Sequence, residues 1–421
     1  MKIRRYSTKL TIISFILFLS INSVFAQKAG SATPRQEKLL NGLKVLMWSE
    51  PKSDKVSIKI RIHSGSSFDQ QQREGTMRLL ADSIFPTDAA KEFFTEELGG
   101  SLDVTCNYDY IQISASGQAD RVLDIIQTLA TAVTAPTIDK ETTIRLRNAL
   151  LVKVTAMEKD PAYIADRAAT KRLFGNFPYG RPEMGSSTSI PKIEFPDLLE
   201  AKQRFLGADN ATLTITGNYN SDLVFRAARR YFGAWLKSDH KIPSTFRQPD
   251  DPDTSLLALG NPAAGNTEVR YALRGLAKSD KDYPASEILA RIALARWQAA
   301  RTAENYTIRN ESHILPGYLI FGLKQPASST GLKVQDNLIP KNITESEFSK
   351  ARSEAIAGLS SRNLQERWLD VDTYKSLPVD NETSAYQDAT LADVQRVAER
   401  LAKNPVVTVQ STTPAESAAG N

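Results

Sequence analysis

Few side chains in this sequence have the type and spacing to do chemistry. Its three histidines, His63, His240 and His313, lie far apart along the chain, whereas a zinc site needs several converging nitrogen, sulfur or carboxylate ligands. His63 ends the run IRIHSG and reads as a partly exposed strand residue; His240 falls in a charged, proline-bearing stretch; His313 precedes an apolar strand. Cys106, the single cysteine, sits in DVTCNYDY and reads as a small buried hydrophobe rather than a nucleophile. No G-x-S-x-G elbow and no Walker loop occur. One segment has the outline of a catalytic helix. Residues 75–85, GTMRLLADSIF, combine a glycine start, a Leu-Leu pair and apolar residues spaced for burial, just after a strand and glycine loop, IRIHSGSSFDQ. Its inward polar positions hold Arg78 and Asp82 around Ala81.

The elements that must position this helix are legible as patterns. LLNGLKVLMWSEP reads as two short strands about an Asn41-Gly42 turn, and KVSIKIRIHSG alternates apolar and polar residues as a half-buried strand does. TDAAKEFFTEELGG is a helix with glycines at its C-terminal end, SLDVTCNYDYIQISASG two strands, and ADRVLDIIQTLATAV an amphipathic helix. Residues 138–175 are helical with a break before Pro161, and a helix, a strand and a helix follow through FGAW. KSDHKIPSTFRQPDDPDTS shifts to charge and proline, the composition of a linker. A similar succession of strands and helices then starts again and ends on NPVVTVQST. The expected fold is α+β: two similar sandwich domains, each a sheet with helices on one face. The expected boundaries are 37–236 and 255–412, a linker at 237–254, and flexible ends at 27–36 and 413–421.

Residues 1–26 have the basic start, short apolar run and Val24-Phe25-Ala26 ending of a secretory signal peptide. That predicts export across the inner membrane, to a bacterial periplasm, with no membrane span after cleavage. The formal charge is +5 for the whole chain and +1 once Lys2, Arg4, Arg5 and Lys9 of that segment are removed. The basic pI is thus largely a targeting feature, and no nucleic-acid partner is expected. A lone cysteine allows no internal disulfide, so stability must come from core burial.

Taken in order, these segments resemble the insulinase/pitrilysin family of zinc peptidases, and its mitochondrial-processing-peptidase-like branch in size. IHSGSSFDQQQREGTMRLLADSIF is similar to the family's glycine-serine loop and catalytic helix, ELGGSLDVTCNYDYIQISASG to its Gly-Gly strand pair, and MEKDPAYIADRAATKRLFGNFPYGRPEMGSSTSI to the region after its third metal ligand. The family motif, His-x-x-Glu-His, puts two imidazoles on one zinc and a glutamate base beside its water. The resemblance places Arg78 at the first histidine, Ala81 at the base, Asp82 at the second histidine, and Lys153 at the downstream glutamate. An arginine keeps its proton and cannot ligate zinc, so the resemblance implies that the family's zinc is not held here. An ion pair of Asp82 with Arg78 or Lys153 would fill the space. Of the family's substrate-holding Arg and Tyr in the second half, only Arg301 is matched; the tyrosine position holds Ile308.

The function implied is a non-catalytic, peptidase-like subunit. It would pair with a motif-bearing chain, or with a second copy of itself, and form part of a peptide chamber. The alternatives are a structural or peptide-binding scaffold without proteolysis, and a zinc metalloendopeptidase with displaced ligands among Glu96, Glu97 and Glu158.

Overall fold

In KVSIKIRI, Val56, Ile58, Ile60 and Ile62 point one way into the first core, while Ser57, Lys59 and Arg61 point the other way. Both faces are spoken for. The computed structural model describes residues 33–238, 246–260, 266–300, 305–326 and 338–412. The first half contributes strands β1 (Arg35–Lys38), β2 (Lys44–Ser49), β3 (Lys55–Ile62), β4 (Ser101–Cys106), β5 (Ile111–Gln118) and β6 (Ala211–Gly217). Its helices are α1 (Thr76–Ile84), α2 (Ala89–Glu96), α3 (Val122–Thr134), α4 (Lys140–Met157), α5 (Pro161–Phe174), α6 (Phe195–Phe205) and α7 (Ser221–Phe232). The strands form one sheet in the order β1-β2-β6-β3-β5-β4, antiparallel except for the β2–β6 pair, so β4 is an open edge.

The second half repeats the plan with β7 (Leu256–Gly260), β8 (Asn266–Arg274), β9 (Asn305–Glu311), β10 (Tyr318–Pro326) and β11 (Val407–Thr412), in the order β7-β11-β8-β10-β9. Its helices are α8 (Tyr283–Ala300), α9 (Glu345–Ser361), α10 (Leu364–Tyr374), α11 (Val379–Asp388) and α12 (Leu391–Leu401). Here too a single parallel pair, β7 with β11, interrupts an antiparallel sheet. This repeated exception supports two α+β units built on one plan.

The two halves exchange a helix. The sequence pattern leads one to expect helices on one face of each sheet, and each half does lay its own helices there. The opposite face is covered as well: α10 of the second half packs on the first sheet, and α5 of the first half packs on the second. Alternation makes this possible, because successive strand residues point to opposite faces. On the first sheet Ser57 bonds Gln365 at 2.9 Å, Lys59 reaches Glu366, and Arg61 donates to Asp370 at 2.7 Å. On the second, Val269, Tyr271 and Leu273 enter the core, while Arg270 donates to Asp166 of α5 at 2.5 Å. Each half therefore pins the other's helix with an arginine–aspartate pair. Arg61 is completely buried, with its guanidinium 3.9 Å from the centre of the Tyr110 ring. A charge so placed is tolerable only when its donors are satisfied.

One of the expected boundaries needs correction. Arg35 and Gln36, placed in the flexible segment 27–36, lie in β1, where they pair with Met47 and Leu46. Arg35 also bonds Asp222 at 2.6 Å, which ties the strand to α7. The described part of the 237–254 linker is held as well: Asp253 pairs with Arg172 of α5 at 2.7 Å, and Phe246 packs near Phe68 and Phe177. The signal segment 1–26, the tail 413–421, His240 and Arg301 lie outside the described residues.

Candidate functional site

The helix α1 is held at its start by one aspartate. Asp69 Oδ2 accepts from the Gly75 N–H at 2.7 Å and Oδ1 from the Met77 N–H at 2.8 Å. These are orphan donors of a helix N-terminus, so a buried carboxylate there both caps the turn and complements the dipole. Burial pushes the Asp69 carboxyl up to about 7, against the pull of those two N–H groups and of Arg181. Gly75 sits at φ 105, in the left-handed region where an L side chain would be strained. The preceding loop needs a glycine for a different reason: a Cβ on Gly65 would lie 2.0 Å from the Asn107 carbonyl oxygen. Asp69→Ala is expected to remove about 1–3 kcal/mol of stability, seen as a lower midpoint in urea unfolding. A change within measurement error would show that water caps the helix equally well.

From this anchor α1 distributes its side chains in three directions. Met77, Leu80, Ala81 and Ile84 enter the core under the first sheet. Leu79 turns the other way, into a cluster with Leu150, Val154, Ile190, Ile193 and Leu198. Arg78 and Asp82 are left on the remaining side, where they form a two-pronged ion pair: Nη2 to Oδ1 at 2.5 Å and Nε to Oδ2 at 3.2 Å. Burial works against the Arg78 charge, but the Asp82 carboxylate outweighs it and holds the guanidinium above its ordinary value. Ala81 is completely buried.

The structure brings three of the four family-motif positions to one cavity. Arg78, Asp82 and Lys153 line an open cleft of about 460 Å³ between α1 and α4, with Ala81 sealed in the core behind it. Asp82 is paired with Arg78 rather than with Lys153, which settles the two options the sequence leaves open. Lys153 is exposed on α4. This set does not fit zinc. It offers a guanidinium that keeps its proton, a methyl group, a carboxylate already engaged, and an ammonium, whereas zinc needs three or four deprotonated ligands. Glu96 and Glu97 are exposed at the end of α2, and Glu158 accepts from the Ser187 N–H at 3.0 Å. Among the described residues no group of three or more His, Cys, Asp or Glu is placed to hold a metal ion.

The two described histidines are structural bridges, more enclosed than the sequence suggests. His63 touches the Thr212 and Thr373 hydroxyls at 3.0 Å each, and burial pushes it down to about 3, so it is neutral. His313 Nδ1 lies 2.7 Å from Asp109 Oδ2, and its ring sits on Tyr179 with centroids 4.3 Å apart. Burial opposes its charge, yet Asp109 prevails and raises it. Asp109 is 1% exposed and also accepts from Tyr179. Beside these contacts lies a second open cavity, of about 260 Å³, whose lining includes Tyr108, Tyr163, Glu183, His313 and Tyr318. Met184 lines both cavities. The buried Cys106 thiol is pushed up by desolvation, as an inert core residue should be. Asp69, Asp109 and Glu183 escape the sequence reading. Only Asp109 leaves a local trace, in the Asn107–Tyr110 turn, where Asn107 Oδ1 accepts two backbone N–H bonds.

Comparison with known proteins agrees with this architecture. The sequence model of Insulinase (Peptidase family M16) matches residues 44–187, and that of the Peptidase M16 inactive domain matches residues 192–307. An uncharacterized zinc protease of Rickettsia felis is 24% identical over 212 residues, 48% of this chain and 50% of that protein. The chain thus spans about half the length of the curated relatives it matches. Among solved structures, a protease from Helicobacter pylori superposes with a TM-score of 0.82 at 15% identity, covering 90% of this chain and 100% of that one. A peptidase M16 inactive domain from Pseudomonas fluorescens does so with 0.79 at 18%, covering 91% and 98%. A protease and an inactive domain share the fold, so the fold alone decides nothing about activity. The two consecutive family models run along one chain over the same succession of elements, and the chain belongs to the insulinase family, peptidase family M16.

Proposed function

We propose that this chain is a non-catalytic member of its family that pairs with an active zinc-peptidase chain and forms part of the wall of its peptide chamber. The observation that carries the reading is the Arg78–Asp82 ion pair, which occupies the positions where the family motif has its histidines, with Ala81 buried where the motif has its base. The two imidazole ligands and the glutamate base by which the family motif activates a zinc-bound water are absent from these positions. The fold, by contrast, is intact: both cores are closed, and among the described residues β4 remains an edge strand beside α1. An extended peptide could add to such an edge without being cut. A periplasmic location, after removal of residues 1–26, is part of the same proposal.

The test starts with elemental analysis of the purified mature protein, before and after incubation with zinc. The expected result is no tightly held zinc and no peptidase activity alone, with activity appearing when a motif-bearing insulinase-like chain is added. About one tightly held zinc per chain would overturn the proposal and revive displaced ligands. A zinc-free chain that leaves every such partner's activity unchanged would instead favour a scaffold without a part in proteolysis.

A further inference from the structure

The cleft that holds the family-motif positions carries an excess of positive charge. Four cations, Arg78, Lys91, Arg145 and Lys153, face two carboxylates, Asp82 and Asp88. The carboxylates are each engaged: Asp82 by Arg78, and Asp88 by Lys91 at 3.6 Å. Within the cleft lining that leaves Arg145 and Lys153 with no carboxylate to pair with, although Asp139, outside the lining at the head of α4, feels the Arg145 charge. Arg145 donates only to a backbone carbonyl, that of Pro86 at 2.8 Å, and Lys153 has no ion-pair partner among the described residues. Asp103 of the edge strand, which does not line the cleft, acts on Arg78.

Arg145, Ala149 and Lys153 recur every fourth residue, so they share one face of α4, and all three line the cleft. Eight residues of helix put the two cations ~12 Å apart. The alanine between them keeps the floor low enough for a chain to lie across it. In an extended peptide, side chains four residues apart lie on the same face, at ~13 Å. The two spacings agree.

We infer that the vacated ligand cleft is a recognition site for an extended acidic peptide segment, with two carboxylate side chains four residues apart engaging Arg145 and Lys153. The inference rests on the reading that this chain holds peptides rather than cutting them, and it names which peptides. The Arg78–Asp82 pair forms the opposite wall and, being internally neutral, leaves the selection to α4. Loss of the zinc ligands then has a positive consequence, since a dication is replaced by fixed cations that attract anions instead of polarising a carbonyl.

The probes are three fluorescein-labelled dodecapeptides on a Gly-Ser background, carrying two glutamates, two glutamines or two lysines four residues apart. Fluorescence anisotropy with the purified mature chain is read at low and at physiological salt. The glutamate peptide should bind about tenfold tighter than the glutamine peptide, with the margin shrinking as salt rises. The double variant R145E/K153E changes two exposed residues, and its thermal melt controls for folding; it should prefer the lysine peptide. Equal binding of all three peptides, or a preference for lysine by the unmodified chain, overturns the acidic selection while leaving peptide holding in place. A glutamate preference that survives in R145E/K153E overturns the assignment to α4. Binding of none of the peptides sinks both the inference and the peptide-holding reading beneath it.

Discussion

Replacing Asp370 by alanine is expected to cost about 3–5 kcal/mol of folding stability, read as a lower urea midpoint at unchanged slope. Asp370 is 5% exposed and accepts from Arg61 at 2.7 Å, Lys278 at 2.9 Å and Arg362 at 2.5 Å. Burial alone would raise its carboxyl, but the three cations together hold it well below the usual carboxylate range. Arg61 cannot follow by losing its charge. It would keep Gln112 at 2.8 Å and a bond to Glu366, which places the loss nearer the lower end of the range. The effect should extend beyond one helix, because α10 is the element by which the second half covers the first sheet. Asp82→Ala provides the contrast. It breaks a partly exposed pair within one helix, with about a fifth of each side chain in solvent, and should cost only about 0.5 kcal/mol. Similar costs for the two variants would refute the distinction between a pair that fixes the fold and one that fills a vacated site.

Glu183→Gln should stabilise the protein at pH 8 by about 1–3 kcal/mol and change little at pH 4.5. Burial pushes the Glu183 carboxyl up to about 7, although His313 pulls the other way. A carboxyl whose folded value lies above its unfolded value of about 4.5 favours the native state when it carries its proton. That contribution is whole below pH 4.5 and is lost as pH rises through 7. His313 has the same sign, since Asp109 raises it: its contribution is whole below its ordinary value and is lost as pH rises past the folded one. Asp69, also raised to about 7, adds to the trend. Glu347 and Asp393, held down to about 2 by their partners, act with the opposite sign, but only below about pH 4.5. His63, pushed down to about 3, acts against this trend up to about pH 6.5, so the decline between pH 5 and 8 should be shallow at first and steeper above pH 6.5, and glutamine at 183 should flatten part of it. A Glu183→Gln curve parallel to that of the unmodified protein would show that Glu183 ionises freely in the native state.

How far the sequence carries the reading depends on whether the deciding contacts are local. The helix at 76–84, its glycine start and the strand before it are legible because period and turn chemistry act over a few residues. So is the replacement of the motif: the identities at 78, 81 and 82 exclude imidazole ligation in any fold. Lys153 could be placed only by resemblance, and the structure brings it to the same cleft. The strand β9 and the helices α10 and α11 are not marked in the sequence. In α10 the inward face carries Gln365, Glu366 and Asp370 as well as Trp368 and Leu369, so it does not read as an apolar stripe. Its partners are the polar residues of β3, which by themselves look solvated.

By itself, then, the sequence determined the α+β class, the family resemblance and the identities Arg78, Ala81 and Asp82 at the motif positions, because hydrophobic period and side-chain identity are properties of short segments. Tertiary structure alone decided that Asp109 and His313 meet although 204 positions apart, and that each half covers the other's sheet. Those outcomes depend on which buried charges come within hydrogen-bond reach of one another. Such energies grow as the dielectric falls, and burial is fixed only once both halves have closed.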